Sequence, residues 1–419
     1  LRRWLSVPRV ECAGRRATRR LTRVSEPRPL TRALFRVRPP LRHYAWGSLT
    51  AIPELLGTQP DGRPQAELWL GAHPADPVTV DGVRLDTLLA QQPRLAGGDL
   101  PFLMKVLAAG RPLSLQVHPT REQAATGYAR EGALGLEVGD PRRSYADREH
   151  KPEMIVAVTP FVTLCGFRSP AEAADDLAEL IGNPSAAATE LLNLLRGTDE
   201  PEALRGALGL MLSTRPQVRE LVAAVVQAAR SHPGTYADTV RRAADYGDDP
   251  GVLAMALLNR VELAPGEALY LETGNIHAYL GGLGIEAMAP SDNVLRGGLT
   301  PKHIDVQGLF EIVQFAPMRP AYVPAQTSES DGVRLQSYWP PAEEFSVHRI
   351  EATTGPRELA ALVGPAMLIV TAGTLQVSAD GDLLTLERGD SAFHAAGSAL
   401  TVRAVGGPAN AYLTTVGRV

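Results

Sequence analysis

Cysteine is almost missing from this chain. Cys12 and Cys165 are the only two in 419 residues. That excludes a disulfide framework and makes a reducing cytoplasm the expected compartment. Long apolar runs are missing too: no stretch approaches the ~18 uninterrupted apolar residues of a membrane span, so no membrane partner is expected. Basic charge is scarce beyond residue 42. Of 42 Lys plus Arg and 46 Asp plus Glu, 13 Arg and 2 Glu fall in residues 1–42, leaving 29 basic against 44 acidic residues, a formal charge of −15. An acidic body argues against nucleic acid as the partner, because backbone phosphates are bound by a basic face. Lysine is scarcest of all, with Lys105, Lys151 and Lys302 standing against 39 Arg. Lys is a compact point charge whose pKa moves on burial, whereas Arg is a planar fork that stays protonated. Functional roles are therefore expected for at least two of the three, against chance placement.

What is present is a turn-rich chain long enough for two or three folding units. Residues 1–35 form an Arg-rich leader punctuated by Pro8, Pro27 and Pro29. Its composition would suit a nucleic-acid arm or a transit peptide, and a disordered tail is the reading favoured here. Short strand patterns follow through YAWGS, AELWLGAHPADPVTV, LPFLMKVLAAGRPLSLQVHP and HKPEMIVAVTPFVTLCGF. The period then changes to helical over residues 169–259. Ser169-Pro170-Ala171-Glu172 reads as a capping box with Leu177, Leu180 and Ile181 behind it. Thr214 with Gln217 reads as the start of a second helix bearing Val218, Leu221, Val222 and Val225. Strand patterning returns at Val261 and runs to the C-terminus.

Four residues from three distant segments have the character of a metal site: Gln116 and His118 from PLSLQVHP, Glu153 from DREHKPEMI, and His277 from LYLETGNIHAYLGG. Gln116 and His118 are two apart, the strand period, so they project from one face. His277 sits in a Gly-rich turn (Gly274, Gly281, Gly282), which suits a ligand presented at a barrel mouth. Two imidazoles, a carboxylate and an amide leave a +2 cation only partly compensated, which suits an open, Lewis-acidic Zn²⁺ site better than a closed structural one. The competing account is that each histidine is an ordinary hydrogen-bonded structural residue.

An internal repeat adds to this. Gly266, Gly274 and His277 are spaced as Gly389, Gly397 and Leu400 are, so the second copy has leucine at the ligand position, and His394 lies six residues before it. The segment resembles the second motif of the cupin superfamily, a jelly-roll type β-barrel. The resemblance implies a mainly β fold with two cupin barrels and an α-helical insertion. The metal-binding barrel would comprise residues 36–168 and 260–324, the insertion 169–259, and a metal-free barrel 325–419.

QVHP (116–119), HKPE (150–153), GNIHAYL (274–280) and EAMAPSDNVLRGGLTPKH (286–303), with YAWG and LPFLMKVLAA, resemble the diagnostic segments of the type I phosphomannose isomerase family over roughly residues 40–310. Gly297 stands where that pattern leads one to expect Ala. The resemblance implies one zinc per chain held by Gln116, His118, Glu153 and His277, and marks Arg296 as catalytic. It also implies interconversion of mannose 6-phosphate and fructose 6-phosphate through an enediol(ate), with a small phosphosugar as the only partner and a monomer as the expected state. Moving a proton between C1 and C2 needs a base and charge stabilisation. Glu286 is the first candidate for proton carrier, with Lys151 and His150 competing. Arg296 would bind phosphate or the enediolate, with Asp292 holding its geometry. Lys105, Ser114 and Lys302 are candidate phosphate contacts, and Tyr279 and Trp46 candidate sugar contacts, packing being the usual role of such aromatics. A phosphosugar sensor without turnover and a cupin oxygenase are the competing functions; the amide ligand and clustered cations disfavour the oxygenase.

Overall fold

The computed structural model describes residues 32–418, except residues 360, 361 and 363. The Arg-rich leader up to residue 31 therefore lies outside the described residues. Its expected end at residue 35 is too late, because Leu34–Val37 is a β-strand with Leu34 and Phe35 buried. Leu34 pairs with His394 and Val37 with Ser391, antiparallel. The backbone N–H groups of Ala33 and Leu34 donate to the Asp382 carboxylate at 2.6 and 3.2 Å. An apolar strand with a C-terminal partner overrides the proline-rich composition around it.

The molecule is mainly sheet with several helices. One eleven-stranded sheet runs from Leu41–Arg42 through Glu67–Leu70, Leu103–Ala109, His277–Met288, Glu153–Ala157 and Ala268–Leu271 to Ala321–Tyr322, with Leu115–Val117, Phe161–Phe167, Leu258–Leu263 and Leu295–Gly298 joined to its side. A seven-stranded and a four-stranded sheet hold the C-terminal strands, and Leu34–Val37 forms one edge of the seven-stranded one. The internal repeat is visible in the backbone. Gly266 and Gly389 have φ of 90° and 89°, Gly274 and Gly397 have φ of 80° and 102°, and His277 and Leu400 each open a strand. These left-handed turns are open to glycine without steric cost.

The region of helical period folds into Pro170–Ile181, Ala186–Leu195, Glu200–Met211, Pro216–Ala229 and Thr235–Arg242. The capping box read at Ser169 does not form: Pro170 stands at the first helical position as read, but the Ser169 side chain makes no cap hydrogen bond. Likewise the helix expected from Thr214 starts at Pro216, with Arg215 as its flanking residue. A closed capping box forms instead between Thr120 and Gln123, at the head of Arg121–Ala133.

The helices share one apolar core with the sheet. Leu177, Leu204 and Val222 pack in a single buried cluster with Leu115, Val117, Ile276, Ala278 and Leu295. Alternation along the strands then sends Gln116, His277 and Arg296 to the opposite face, where they meet a second buried cluster that includes Leu107, Ile155, Phe161 and Tyr279. Helix packing thus fixes which way the chemical residues look. Among the described residues no helix is long and apolar enough to cross a membrane.

Candidate metal centre and adjoining cavity

Leu115–Val117 pairs with two strands at once: Gln116 stands opposite His277 on one side and opposite Arg296 on the other. Glu153 opens the strand Glu153–Ala157, which pairs with the far part of His277–Met288. His118, Glu153 and His277 are each 1% exposed or less, and one ligand atom from each lies within 4.8 Å of the others. His118 Nε2 is 3.3 Å from Glu153 Oε1, and His277 Nε2 is 3.4 Å from Glu153 Oε2. The Gln116 amide ends 3.3 Å from His277 Nε2.

Both imidazoles are held from behind. His118 Nδ1 donates to the Asn293 carbonyl at 2.7 Å, and His277 Nδ1 donates to the Asn275 carbonyl at 2.9 Å. A ring with its Nδ1 proton so committed presents the Nε2 lone pair to the centre, as a metal ligand must. His118 Nε2 and Glu153 Oε2 are buried without a hydrogen-bond partner. Two orphaned acceptors facing one another are costly unless a cation joins them, so the donor set fits a divalent metal. Burial, then the Lys151 ammonium, pushes the His118 imidazole down to about 4, which keeps it a neutral donor. Burial alone would raise the Glu153 carboxyl, but Lys151, 2.9 Å away, and His118 outweigh it and hold it well below the usual range. Asn293 is itself held by Asp147 and by the Glu149 carbonyl, and Ser291 donates to the same Asp147 carboxylate. That network carries the carbonyl behind His118.

A cavity of about 530 Å³ opens beside the centre, lined by Gln116, Lys151 and Glu153.

 Arg296, Lys302, Lys105, Glu286, Ser114, Trp46 and Asp292 line it too. Glu286 is nine positions after His277 on one strand, an odd spacing that a regular strand would send to the other face. The register shifts between Tyr279 and Gly281 opposite Thr163 and Val162, and this bulge's extra residue returns Glu286 to the interior. Lys105 sits opposite Glu286 across the sheet, with Nζ 2.9 Å from Glu286 Oε2 and 3.6 Å from Glu67 Oε1. Burial raises the Glu286 carboxyl, against the opposing pull of Lys105. The Lys105 ammonium is desolvated, yet the two carboxylates hold it above its ordinary value.

Arg296 and Lys302 differ from the other cations. Among the described residues neither side chain has an ion-pair or hydrogen-bonding partner, and burial lowers both, Lys302 also through Arg296. The holding of Arg296 by Asp292 is not observed. The Asp292 side chain is 54% exposed and lies 3.5 Å from His73 Nε2, because residues 290–294 run irregularly, without the helical or strand repeat that would align positions four apart. His150 does not reach the cavity; its Nε2 is 2.5 Å from Glu344 Oε1 and 3.1 Å from an Arg121 nitrogen. Tyr279 is buried edge-on against Phe161, 5.2 Å between ring centroids, and lies behind the cavity rather than in its wall. His277 is not on the turn but begins the strand, fully buried. Trp46 does line the wall and stacks on Tyr44 at 5.6 Å.

Sequence reasoning missed Glu67 and Trp69, whose indole N–H donates to Glu67 at 2.7 Å, and also Asp147. A carboxylate in the wholly buried strand Glu67–Leu70 was a legible signal. Asp245 and Tyr246, which come from the helical region, also line the cavity, and nothing in their local sequence marks them.

Comparison with known proteins is consistent with this geometry. The family profile for phosphomannose isomerase type I, catalytic domain, matches residues 34–170. The mannose-6-phosphate isomerase of Salmonella typhimurium is 35% identical over 373 residues, 84% of this chain and 92% of the relative. That of Escherichia coli is 36% identical over 392 residues, 89% and 97%. A crystal structure of the Salmonella typhimurium enzyme bound to substrate (fructose 6-phosphate) and zinc superposes with a TM-score of 0.82 at 31% identity, covering 92% of this chain and all of that one.

Proposed function

Because the chain belongs to the type I mannose-6-phosphate isomerase family, we propose that it is a zinc-dependent enzyme interconverting mannose 6-phosphate and fructose 6-phosphate through an enediol(ate). The observation that carries this reading is the convergence of His118, Glu153 and His277 on one point, with both Nδ1 atoms pinned to carbonyls and acceptors left facing each other. The zinc ligands are assigned as Gln116, His118, Glu153 and His277, one ion per chain. A turn of the Gln116 amide presents its oxygen in place of its nitrogen. When bound, zinc supplies a Lewis acid that polarises the sugar's carbonyl or adjacent hydroxyl.

The remaining chemistry belongs to side chains. Glu286 is assigned as the proton carrier: it lines the cavity, and burial raises its carboxyl above the ordinary range, which strengthens it as a base. Lys105 opposite it holds that carboxyl in place at 2.9 Å, and this pairing takes Lys105 out of the set of free phosphate contacts. Lys151 is the second candidate, though its ammonium is engaged by Glu153. Arg296 and Lys302, unpaired cations in the wall, are assigned to the substrate's phosphate end, where a dianion replaces the water they lose. Ser114 and Trp46 complete the wall on the sugar side.

The same reading extends to the architecture: two jelly-roll barrels, the first over residues 41–168 and 260–324, the second over 325–419 with Leu34–Val37 added at its edge and without a metal, and a helical insertion over 169–259. It also extends to a cytoplasmic monomer whose acidic surface does not bind nucleic acid. The test is direct. Purified protein loaded with zinc is given mannose 6-phosphate, and fructose 6-phosphate should accumulate. Binding without turnover would make the protein a phosphosugar sensor and end the enzyme assignment.

A further inference from the structure

The helical region reaches the cavity through one short segment, residues 245–251. Asp249 lies in it, and its carboxylate is wholly engaged with backbone. Oδ1 accepts from the Gly251 N–H at 2.7 Å and from the Leu299 N–H at 2.9 Å, and Oδ2 accepts from the Thr300 N–H at 3.1 Å. Leu299 has φ of 55°, a left-handed conformation that costs a non-glycine residue free energy and persists only where neighbours enforce it. The contact beside it is close. A Cβ added at Gly298 would come within 2.5 Å of Gly251 Cα, and one added at Gly251 within 2.6 Å of Leu299 N. Leu299, Thr300 and Lys302 all line the cavity, a few residues after Arg296. In the same segment, the Tyr246 hydroxyl donates to the Pro112 carbonyl at 2.6 Å, two residues before the cavity residue Ser114.

We infer that Asp249 is a positioning residue for phosphate recognition: it clamps the strained turn at residues 298–300 and so sets where Lys302 and Arg296 stand relative to the substrate's phosphate. The inference rests on the assignment of those two cations to the phosphate end. It gives the helical insertion a role in the site, since its own carboxylate fixes the loop that bears the cation. Asp249 touches neither the metal ligands nor Glu286, so its loss acts on binding of the anionic end rather than on proton transfer.

The experiment uses the zinc-loaded full chain and three variants, Asp249→Ala, Asp249→Asn and Lys302→Ala. Asp249→Asn is nearly isosteric; it keeps an acceptor for Gly251 and Leu299 but turns a donor toward the Thr300 N–H, so it reports even where Asp249→Ala does not fold. Measured are zinc content, kcat, KM for fructose 6-phosphate and inhibition by inorganic phosphate. Asp249→Asn should raise KM and the phosphate inhibition constant by about ten-fold, the scale of a lost charge-assisted hydrogen bond. Zinc content and kcat should stay within about two-fold of the parent, since the residue contacts no group that moves a proton. If Lys302→Ala weakens phosphate inhibition and Asp249→Asn does not, the inference fails while the phosphate assignment stands. If Lys302→Ala changes neither constant, the phosphate assignment itself fails. If Asp249→Asn lowers zinc content and kcat together with KM, Asp249 is a general structural support and the positioning role is overturned.

Discussion

At the scale of single residues, the centre depends on which atoms are committed and which are left facing inward. His118→Ala and Glu153→Gln should each lower bound zinc and turnover together; elemental analysis beside the isomerase assay checks this, and a variant with full zinc would remove that residue from the ligand set. Arg296→Ala should keep its zinc and raise KM for the phosphosugar by about ten-fold, the scale of a lost charge-assisted hydrogen bond to the phosphate, with kcat changed less; an unchanged KM would remove Arg296 from the phosphate end. His348 offers a test away from the centre. Its two ring nitrogens lie 2.8 Å from Ser337 Oγ and 3.1 Å from Ser346 Oγ. Burial, then the Arg418 charge, pushes it down to about 3 from an ordinary 6.5. The unfolded chain therefore binds a proton that the fold refuses. Its contribution to stability is complete above pH 6.5 and is lost as pH falls from 6.5 toward 3. His348→Gln should flatten the fall of the urea midpoint between about pH 6 and pH 4 relative to the parent; parallel curves would contradict it. The meeting of His118, Glu153 and His277 was legible from residue chemistry, although His118 stands just past the strand Leu115–Val117 that carries Gln116. The Asp292–Arg296 partnership was not, because four-residue spacing has meaning only on a regular element.

Elements decide which faces those residues show. The bulge in His277–Met288 lets one strand deliver both His277 and Glu286 to the interior. Gly282 beside it has φ of 122°, and a Cβ there would come within 2.7 Å of the Pro160 carbonyl and the Phe161 ring. Gly282→Ala should therefore destabilise the fold by about 1–3 kcal/mol, read from chemical denaturation. Activity should fall more than stability explains, because the strand must shift Glu286. Leu204, fully buried between helices and sheet, should cost about 2–5 kcal/mol on replacement by Ala. The helices themselves were legible from their apolar period. The start at Pro170 was legible too, although its side-chain cap does not form, and the start read from Thr214 is displaced to Pro216. No local pattern announces a bulge, so the facing of Glu286 could be assigned only on chemical grounds.

Across the whole molecule, the acidic remainder and the cations gathered in one cavity wall oppose each other, and a dianionic substrate meets both. Raising ionic strength should change KM for the phosphosugar more in Lys302→Ala than in the parent if the wall cation offsets the surrounding acid; equal salt responses would argue that the acidic exterior is too far away to matter. The shared core of helices and sheet was not legible, since period-three and period-two segments read as separate bodies until their apolar faces are placed together. Nor was the path of the first strand. Leu34–Val37 completes a sheet whose partner strand is Ser391–His394, so two stretches far apart in the sequence must meet. A ribosome must add the whole stretch between the two strands before that partner emerges. Until then Phe35 and its neighbours lack the strand they dock on, and a contact made early in the sequence waits on residues made much later.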